Sequence, residues 1–146
     1  TKSGSLVGDT LGINIGYLGK YFMAGFKAEK GEYTFGKAPM SDGFTSYSGG
    51  GLGTFIGFHF LDRWKVVTGY LNTSFEPKSN DDIRYFGQQA SLLIGYRVFS
   101  GFFINVMAFR NQFTQLEDDT TGKTQSLESN IKTQGNSLSL SYMFVL

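Results

Sequence analysis

Alternation of apolar and small polar residues is the feature that most constrains how this chain folds. The C-terminal stretch NSLSLSYMFVL carries apolar side chains at every second position, with mainly serine between them: Leu138, Leu140, Tyr142, Phe144 and Leu146. Successive side chains of a β-strand point to opposite faces, so this period predicts a strand with one apolar and one polar face. The same period recurs along most of the chain, and no segment shows a convincing helical period.

Seven segments with this alternation predict an all-β chain that forms a single domain over residues 1–146. The predicted strands are approximately 5–17, 21–36, 47–60, 63–75, 83–98, 102–115 and 131–146. Tight connections near 18–20, 61–63 and 98–101 alternate with long polar ones near 37–46, 76–82 and 116–130. In an antiparallel up-and-down meander, this places all tight turns at one end and all loops at the other.

Composition narrows the class of protein. The net charge is +1, so no overall field attracts nucleic acid. The absence of cysteine excludes disulfides, thiol catalysis and zinc–thiolate sites. No run of 18 apolar residues predicts a transmembrane helix, so strands must do any spanning. The chain starts at Thr1 without an apolar targeting segment, which indicates either a mature form or a chain that had no signal peptide.

The polar face indicates which side of the strands meets lipid. It consists mainly of glycine and serine with a few charges, which suits the narrow interior of an eight-stranded barrel. Aromatic residues lie near the tight turns, as in an interfacial girdle. We assign five of them to the membrane interface: Tyr17, Trp64, Tyr96, Tyr142 and Phe144. The inverted arrangement, a soluble lipid-binding barrel with its apolar face inward, remains an alternative.

A second aromatic group lies near the predicted loops and predicts a second girdle at the opposite interface. Its members are Tyr33, Phe35, Phe44, Tyr47, Phe75, Tyr85, Phe86, Phe109 and Phe113.

The C-terminal strand resembles the insertion signal of bacterial outer-membrane proteins, which end on an apolar, usually aromatic, residue. Its signal positions would be Leu138, Leu140, Tyr142, Phe144 and Leu146. The final leucine departs from the commoner phenylalanine. In size, loop asymmetry and ending, the whole chain resembles the small transmembrane β-barrels of the OmpA and OmpX type.

The resemblance implies an integral β-barrel in the outer membrane of a Gram-negative bacterium. Such barrels have an even number of strands, so we expect eight in the working barrel. The eighth would come from a division of segment 21–42 at Glu29–Glu32, from a strand before Thr1, or from another chain. The implied partners are outer-membrane lipid, including lipopolysaccharide, and the barrel-insertion machinery.

Eight polar or charged side chains fall on the inward face: Asn14, Lys27, Glu29, His59, Lys65, Gln89, Arg97 and Asn105. Buried charges must be paired, so the first interpretation is a hydrogen-bonded cluster that fills the barrel. The second is a gate in a narrow pore for ions or small solutes, in which lysine and arginine favour anions.

Three motifs have less specific interpretations. His59 is the only histidine and has no evident serine or carboxylate partner, so a filling role is favoured over a lipid-modifying enzyme. The acidic clusters Glu117–Asp119 and Asn80–Asp82 lack EF-hand spacing, which favours solvated loops over Ca²⁺ or Mg²⁺ sites. Neither a helix nor a GK[ST] motif follows Gly49–Gly51, so it is not a phosphate-binding loop.

We therefore expect a monomeric barrel that is not an enzyme and uses no cofactor, metal or nucleic acid. Its role would be structural, with the loops at one end available to a surface ligand.

Overall fold

A computed structural model describes residues 2–35, 46–80 and 82–143. Regular structure in this part of the chain is β-sheet throughout. Its strands are β1 (Lys2–Leu18), β2 (Phe22–Phe35), β3 (Ser46–Phe60), β4 (Trp64–Pro77), β5 (Ile83–Phe99), β6 (Phe102–Asp118) and β7 (Lys123–Tyr142). Consecutive strands pair antiparallel, and contact between β1 and β7 closes the sheet into a barrel. The predicted all-β, up-and-down barrel fold is confirmed.

The strands alternate between a buried inward face and an exposed outward face, as the sequence period predicts. On β4, Lys65, Leu71 and Phe75 are buried, whereas Trp64 and Tyr70 are exposed. The inward positions of β3 include Gly49, Gly51 and Gly57, which leave room for larger side chains from β4. Small residues on one strand thus accommodate large ones on the next, which fills a narrow barrel.

The tight turns lie where the sequence predicts them, at what we call the turn end of the barrel. They connect β1 to β2, β3 to β4, and β5 to β6. Leu61 and Asp62 take left-handed backbone conformations with φ of 51° and 55°, and Gly101 has φ of 83°. These conformations reverse the chain within two or three residues.

The opposite end, which we call the loop end, differs from the prediction of long loops. β4 continues to Pro77 and β5 begins at Ile83, and β6 continues to Asp118 and pairs with β7 from Lys123. The predicted loop at 76–82 is shorter by two residues, because β4 extends to Pro77 and the connection to β5 starts after it. The predicted loop at 116–130 is wrong, because polar residues there extend the hairpin of β6 and β7. Gly122, with φ of 61°, forms part of the short turn between β6 and β7. Most of the predicted loop at 37–46 lies outside the described residues.

The proposed division of segment 21–42 into two strands is wrong. β2 runs unbroken from Phe22 to Phe35 and pairs with β3 on both sides of Glu29–Glu32. The seven strands predicted from alternation are the ones that the described residues form.

The junction between β1 and β7 is the weakest pairing in the barrel. These strands are parallel, because a meander with an odd number of strands starts and ends in the same direction. They pair only from Lys2 with Ile131 to Ser5 with Gln134. Among the described residues, β1 beyond Ser5 pairs only with β2, and β7 beyond Gln134 pairs only with β6. We call the gap between these two edges the seam.

Candidate functional site

A band of exposed apolar side chains lies on the outside of all seven strands near the turn end, and we call it the apolar belt. All seven strands contribute: Leu11, Ile13, Ile15 and Tyr17 of β1; Phe22 and Phe26 of β2; Leu52, Ile56, Phe58 and Phe60 of β3; Trp64 and Tyr70 of β4; Leu92, Ile94, Val98 and Phe99 of β5; Phe102, Ile104 and Val106 of β6; and Leu138, Leu140 and Tyr142 of β7. Soluble monomers rarely expose an apolar surface this extensive.

The height of the belt is comparable to the apolar core of a membrane. On β3 it runs from Leu52 to Phe60, which is about 26 Å along a strand and about 20 Å along the axis of a tilted barrel. Outer-membrane barrels carry an apolar band about 25 Å tall.

A polar boundary ends the belt on the loop side. Lys30, Asn72, Gln88, Arg110 and Gln134 point outward and are exposed. The strand register places Asn72 beside Gln88, and Arg110 beside Gln134. The outer surface thus changes from apolar to polar at a similar height on several strands.

Aromatic contacts on the outside of the barrel mark the turn end of the belt. Trp64 packs edge-on against Tyr96 with ring centroids 4.9 Å apart, and Phe102 packs against Tyr142 at 4.6 Å. Arg63 donates a hydrogen bond of 3.0 Å to the Tyr96 hydroxyl. The predicted interface residue Tyr17 is also exposed, whereas Phe144 lies outside the described residues.

The second predicted girdle is wrong for its central members, which form a core inside the loop end. Tyr33, Tyr47, Phe75, Tyr85, Phe113 and Ile131 are all buried together. Phe75 stacks on Tyr33 at 4.6 Å and contacts Phe113 at 5.0 Å between ring centroids. The alternation already contains this information, since Phe75 shares the odd-numbered inward face of Lys65. Strand parity therefore predicts which way these aromatic side chains point better than their proximity to loops does.

Lys27 and Glu29 form an ion pair inside the barrel. Their side chains on the inward face of β2 approach to 2.8 Å and are 13% and 6% exposed. Gln89 is also buried and, with Glu29, lines a lumen cavity of about 210 Å³. Glu29 thus contacts Lys27 and lines the same cavity as Gln89.

Lys65 and Asn105 form a second inward group closer to the turn end. The Lys65 ammonium donates a hydrogen bond of 3.2 Å to Ser141 Oγ, and Asn105 donates to the same oxygen at 3.0 Å. The Lys65 nitrogen also lies 4.0 Å from the centroid of the Phe103 ring. A Cβ atom on Gly95 would lie 2.6 Å from Lys65 Cε, so glycine at this position makes room for the lysine.

The remaining predicted inward residues are less enclosed. His59 is partly buried and lies beside Lys65 in the strand register. Arg97 is exposed at the turn end, and Asn14 is exposed on β1 next to the seam. The eight predicted residues therefore form two buried groups and an outer set, rather than one continuous cluster.

Several buried polar atoms in the interior have no hydrogen-bond partner among the described residues. They are His59 Nε2, Thr73 Oγ1, Asn105 Oδ1 and Asn111 Oδ1. Buried polar groups are normally paired with protein or water, so these four atoms are exceptions in the interior.

The acidic loop-end residues are engaged in local contacts. Arg84 forms ion pairs with Glu76 and Asp119. Hydrogen bonds from Thr120, and to a smaller extent from Thr121, hold the pKa of Asp118 below its usual value. Within residues 2–35, 46–80 and 82–143, no group of three acidic or histidine side chains is arranged to hold a metal ion.

The predicted insertion signal is outward-facing where it is described. Leu138 and Leu140 are 76% and 78% exposed, and Tyr142 is also exposed. Phe144 and Leu146 lie outside the described residues.

Comparisons with known proteins identify no relationship for this chain. No family model, curated protein or solved structure matches it. In the part of the chain that the structure describes, no helix is both long and apolar enough to span a membrane.

Proposed function

We propose that this chain is a small integral β-barrel of a bacterial outer membrane, held in lipid by its apolar belt. The observation that carries the proposal is the belt itself, because apolar side chains from all seven strands point outward. Polar backbone groups must pair internally in lipid, and a barrel of antiparallel strands meets that condition over most of its circumference. The soluble lipid-binding alternative requires the apolar face to point inward.

The proposed role is structural, with surface interactions made by the loop end. Above the polar boundary, β4, β5, β6 and β7 continue as hairpins toward 78–82 and 119–122. The buried aromatic cluster fills the inside of these extensions and supports them. A rigid scaffold that presents connecting segments is a common way to position a binding surface. The ligand would be a surface molecule, and the partners in the membrane would be lipid and the insertion machinery.

We further propose that the working barrel contains an eighth strand in the seam. β1 and β7 both run toward the turn end, so a strand antiparallel to both must run toward the loop end. It would pair with the free edges of β1 and β7 and cover the lumen cavity, which Thr10 and Leu138 line from the two sides. A strand before Thr1 or a strand from another chain would meet this requirement.

Refolding experiments test the membrane proposal. The chain is mixed with phospholipid vesicles, with detergent micelles or with buffer alone, and folding is followed by heat-dependent gel mobility and circular dichroism. We expect a folded, heat-modifiable species with vesicles and micelles, and aggregation in buffer. A folded, monodisperse protein in buffer alone would overturn the proposal.

A narrow pore is the second candidate function, favoured by the polar interior and its unpaired buried atoms. Against it, the loop-end cluster includes Tyr47, Phe75 and Phe113, which are at most 1% exposed and obstruct the interior. Single-channel recording in a planar bilayer separates the two. A plugged barrel gives no steady openings, whereas a pore gives openings that Lys65→Ala and Arg97→Ala alter.

A further inference from the structure

The interior of the turn end contains a cavity that the proposed structural role does not use. Its volume is about 430 Å³, and its walls include Lys20, His59, Asp62, Arg97 and Phe103. It is larger than the lumen cavity near the loop end and opens toward the turns. This is enough space for a phosphate group or a small carboxylate with some bound water.

Positive charge predominates around this turn-end cavity. Lys20 and Arg97 line it, and the Lys65 ammonium lies just behind the Phe103 ring, 4.0 Å from its centroid. Asp62 is the acidic residue in the wall. Among the described residues, none of the ion pairs includes Lys20, Lys65 or Arg97.

The burial of Lys65 needs a compensating group. The side chain is only 7% exposed, and its nitrogen contacts the Ser141 hydroxyl and an aromatic face. A buried ammonium without a counter-charge is costly, whereas the same ammonium beside an anion is stabilised. Lys27, by contrast, has its carboxylate partner in Glu29 at 2.8 Å.

His59 supplies an independent indication of a ligand. Its Nε2 atom is buried and has no hydrogen-bond partner in the described structure. The ring lies in the cavity wall and is close enough to Lys65 and Arg97 to experience the charge of both. In the tautomer that carries its proton on Nε2, the His59 imidazole is a hydrogen-bond donor to an oxyanion.

We propose that the turn-end cavity binds an oxyanion, a phosphate or carboxylate group, through Arg97, His59 and the positive charge of Lys65. Arg97 at the mouth attracts the anion and forms the charge-assisted hydrogen bonds for which guanidinium is suited. His59 donates from the wall, and Lys65 supplies charge from behind Phe103. The proposal depends on the barrel interior and does not depend on the loop-end role.

Phosphorus NMR with inorganic phosphate tests the site in the refolded chain in phosphate-free, phospholipid-free detergent. We expect saturable line broadening at millimolar phosphate. Because a hydrogen bond to a charged group contributes about 1.5–3 kcal/mol, Arg97→Gln should weaken binding by about tenfold or more. Lys65→Met, which keeps an unbranched side chain one atom shorter and removes the charge, should weaken it similarly. Gel mobility confirms that each variant is folded.

Arg63→Gln is the matched control. Arg63 is at the same end of the barrel, but its guanidinium is exposed and bonded to the Tyr96 hydroxyl. It should leave phosphate binding within about twofold of the parent. Equal losses in Arg63→Gln and Arg97→Gln would indicate a diffuse charge effect and overturn the site. The absence of saturable binding would also overturn it, unless the lipid experiment below is positive.

A second experiment distinguishes a free anion from a lipid headgroup. The protein is reconstituted with phosphatidylglycerol or phosphatidylcholine and repurified, and retained lipid is measured. Retention of phosphatidylglycerol that Arg97→Gln abolishes assigns the site to a headgroup phosphate. Phosphate binding without such retention assigns it to a free anion. If the protein neither binds phosphate nor retains phosphatidylglycerol, the proposal is wrong.

Discussion

Lys27 and Glu29 form a 2.8 Å ion pair inside the barrel, two residues apart on the inward face of β2. The two opposite charges neutralise each other, so the pair adds no net charge to the interior. A substitution of Lys27 alone leaves the Glu29 carboxylate without its partner, and the Glu29 side chain is only 6% exposed. Removing one member of a buried pair costs about 3–5 kcal/mol, whereas removing both can be nearly neutral.

Lys27→Met should therefore lower the free energy of unfolding by about 3–5 kcal/mol. The double variant Lys27→Met/Glu29→Leu should recover most of that loss. Urea titration of the refolded protein, followed by tryptophan emission, measures both. If the double variant is as unstable as the single one, the loss comes from packing rather than from an unpaired carboxylate.

The loop-end cluster should make a large contribution to stability. Phe75 is 1% exposed and contacts the rings of Tyr33 and Phe113. Phe75→Ala should cost about 3–5 kcal/mol, the usual range for a buried phenylalanine. Asn72→Ala, an outward change on the same strand, is the control and should cost less than about 0.5 kcal/mol. Similar losses in both variants would mean that the cluster is not a packed core.

Seam amides should exchange with solvent faster than amides in the rest of the sheet. Beyond Ser5, one edge of β1 lacks a partner among the described residues, so every second amide of residues 6–18 lacks an inter-strand bond. Hydrogen exchange of the 146-residue chain in detergent should show rapid exchange there and slow exchange around Leu92 on β5. Uniform protection of β1 would mean that the seam is already paired and would remove the argument for an eighth strand.

Arginine substitutions on β5 should show which part of the strand lies in the apolar core of a membrane. Ile94 lies within the apolar belt and Gln88 lies at its polar boundary. Arginine near the middle of a bilayer costs about 2–4 kcal/mol, and near the interface about 0–1 kcal/mol. Ile94→Arg should therefore destabilise the vesicle-bound protein much more than Gln88→Arg. Equal costs would place neither residue in the apolar core of a membrane.

The alternation of strand residues predicts most of the fold and much of the arrangement of the interior. The alternation around Lys65 and Trp64 already gives the inward and outward faces of β4, and with them the aromatic residues inside the loop end. The sequence does not predict the extensions of β6 and β7, because residues 123–130 are polar and lack alternation. Pairing across the hairpin holds them in the sheet.

The turn-end cavity leaves no pattern in the sequence. Lys20, His59 and Arg97 come from three separate parts of the chain, and only the closed barrel brings them to one wall. The seam, in contrast, follows from counting strands, because an odd number in a meander makes the first and last parallel.

Fluorescence of Trp64 tests the central claim most directly, since it is the only tryptophan in the chain. It lies on the outer surface at the turn end of the apolar belt, 38% exposed and packed against Tyr96. After refolding into vesicles, its emission should shift to the blue. Lipids brominated near the headgroup should quench it more strongly than lipids brominated near the chain end. Emission that no brominated lipid quenches would contradict a barrel that is embedded in lipid by this belt.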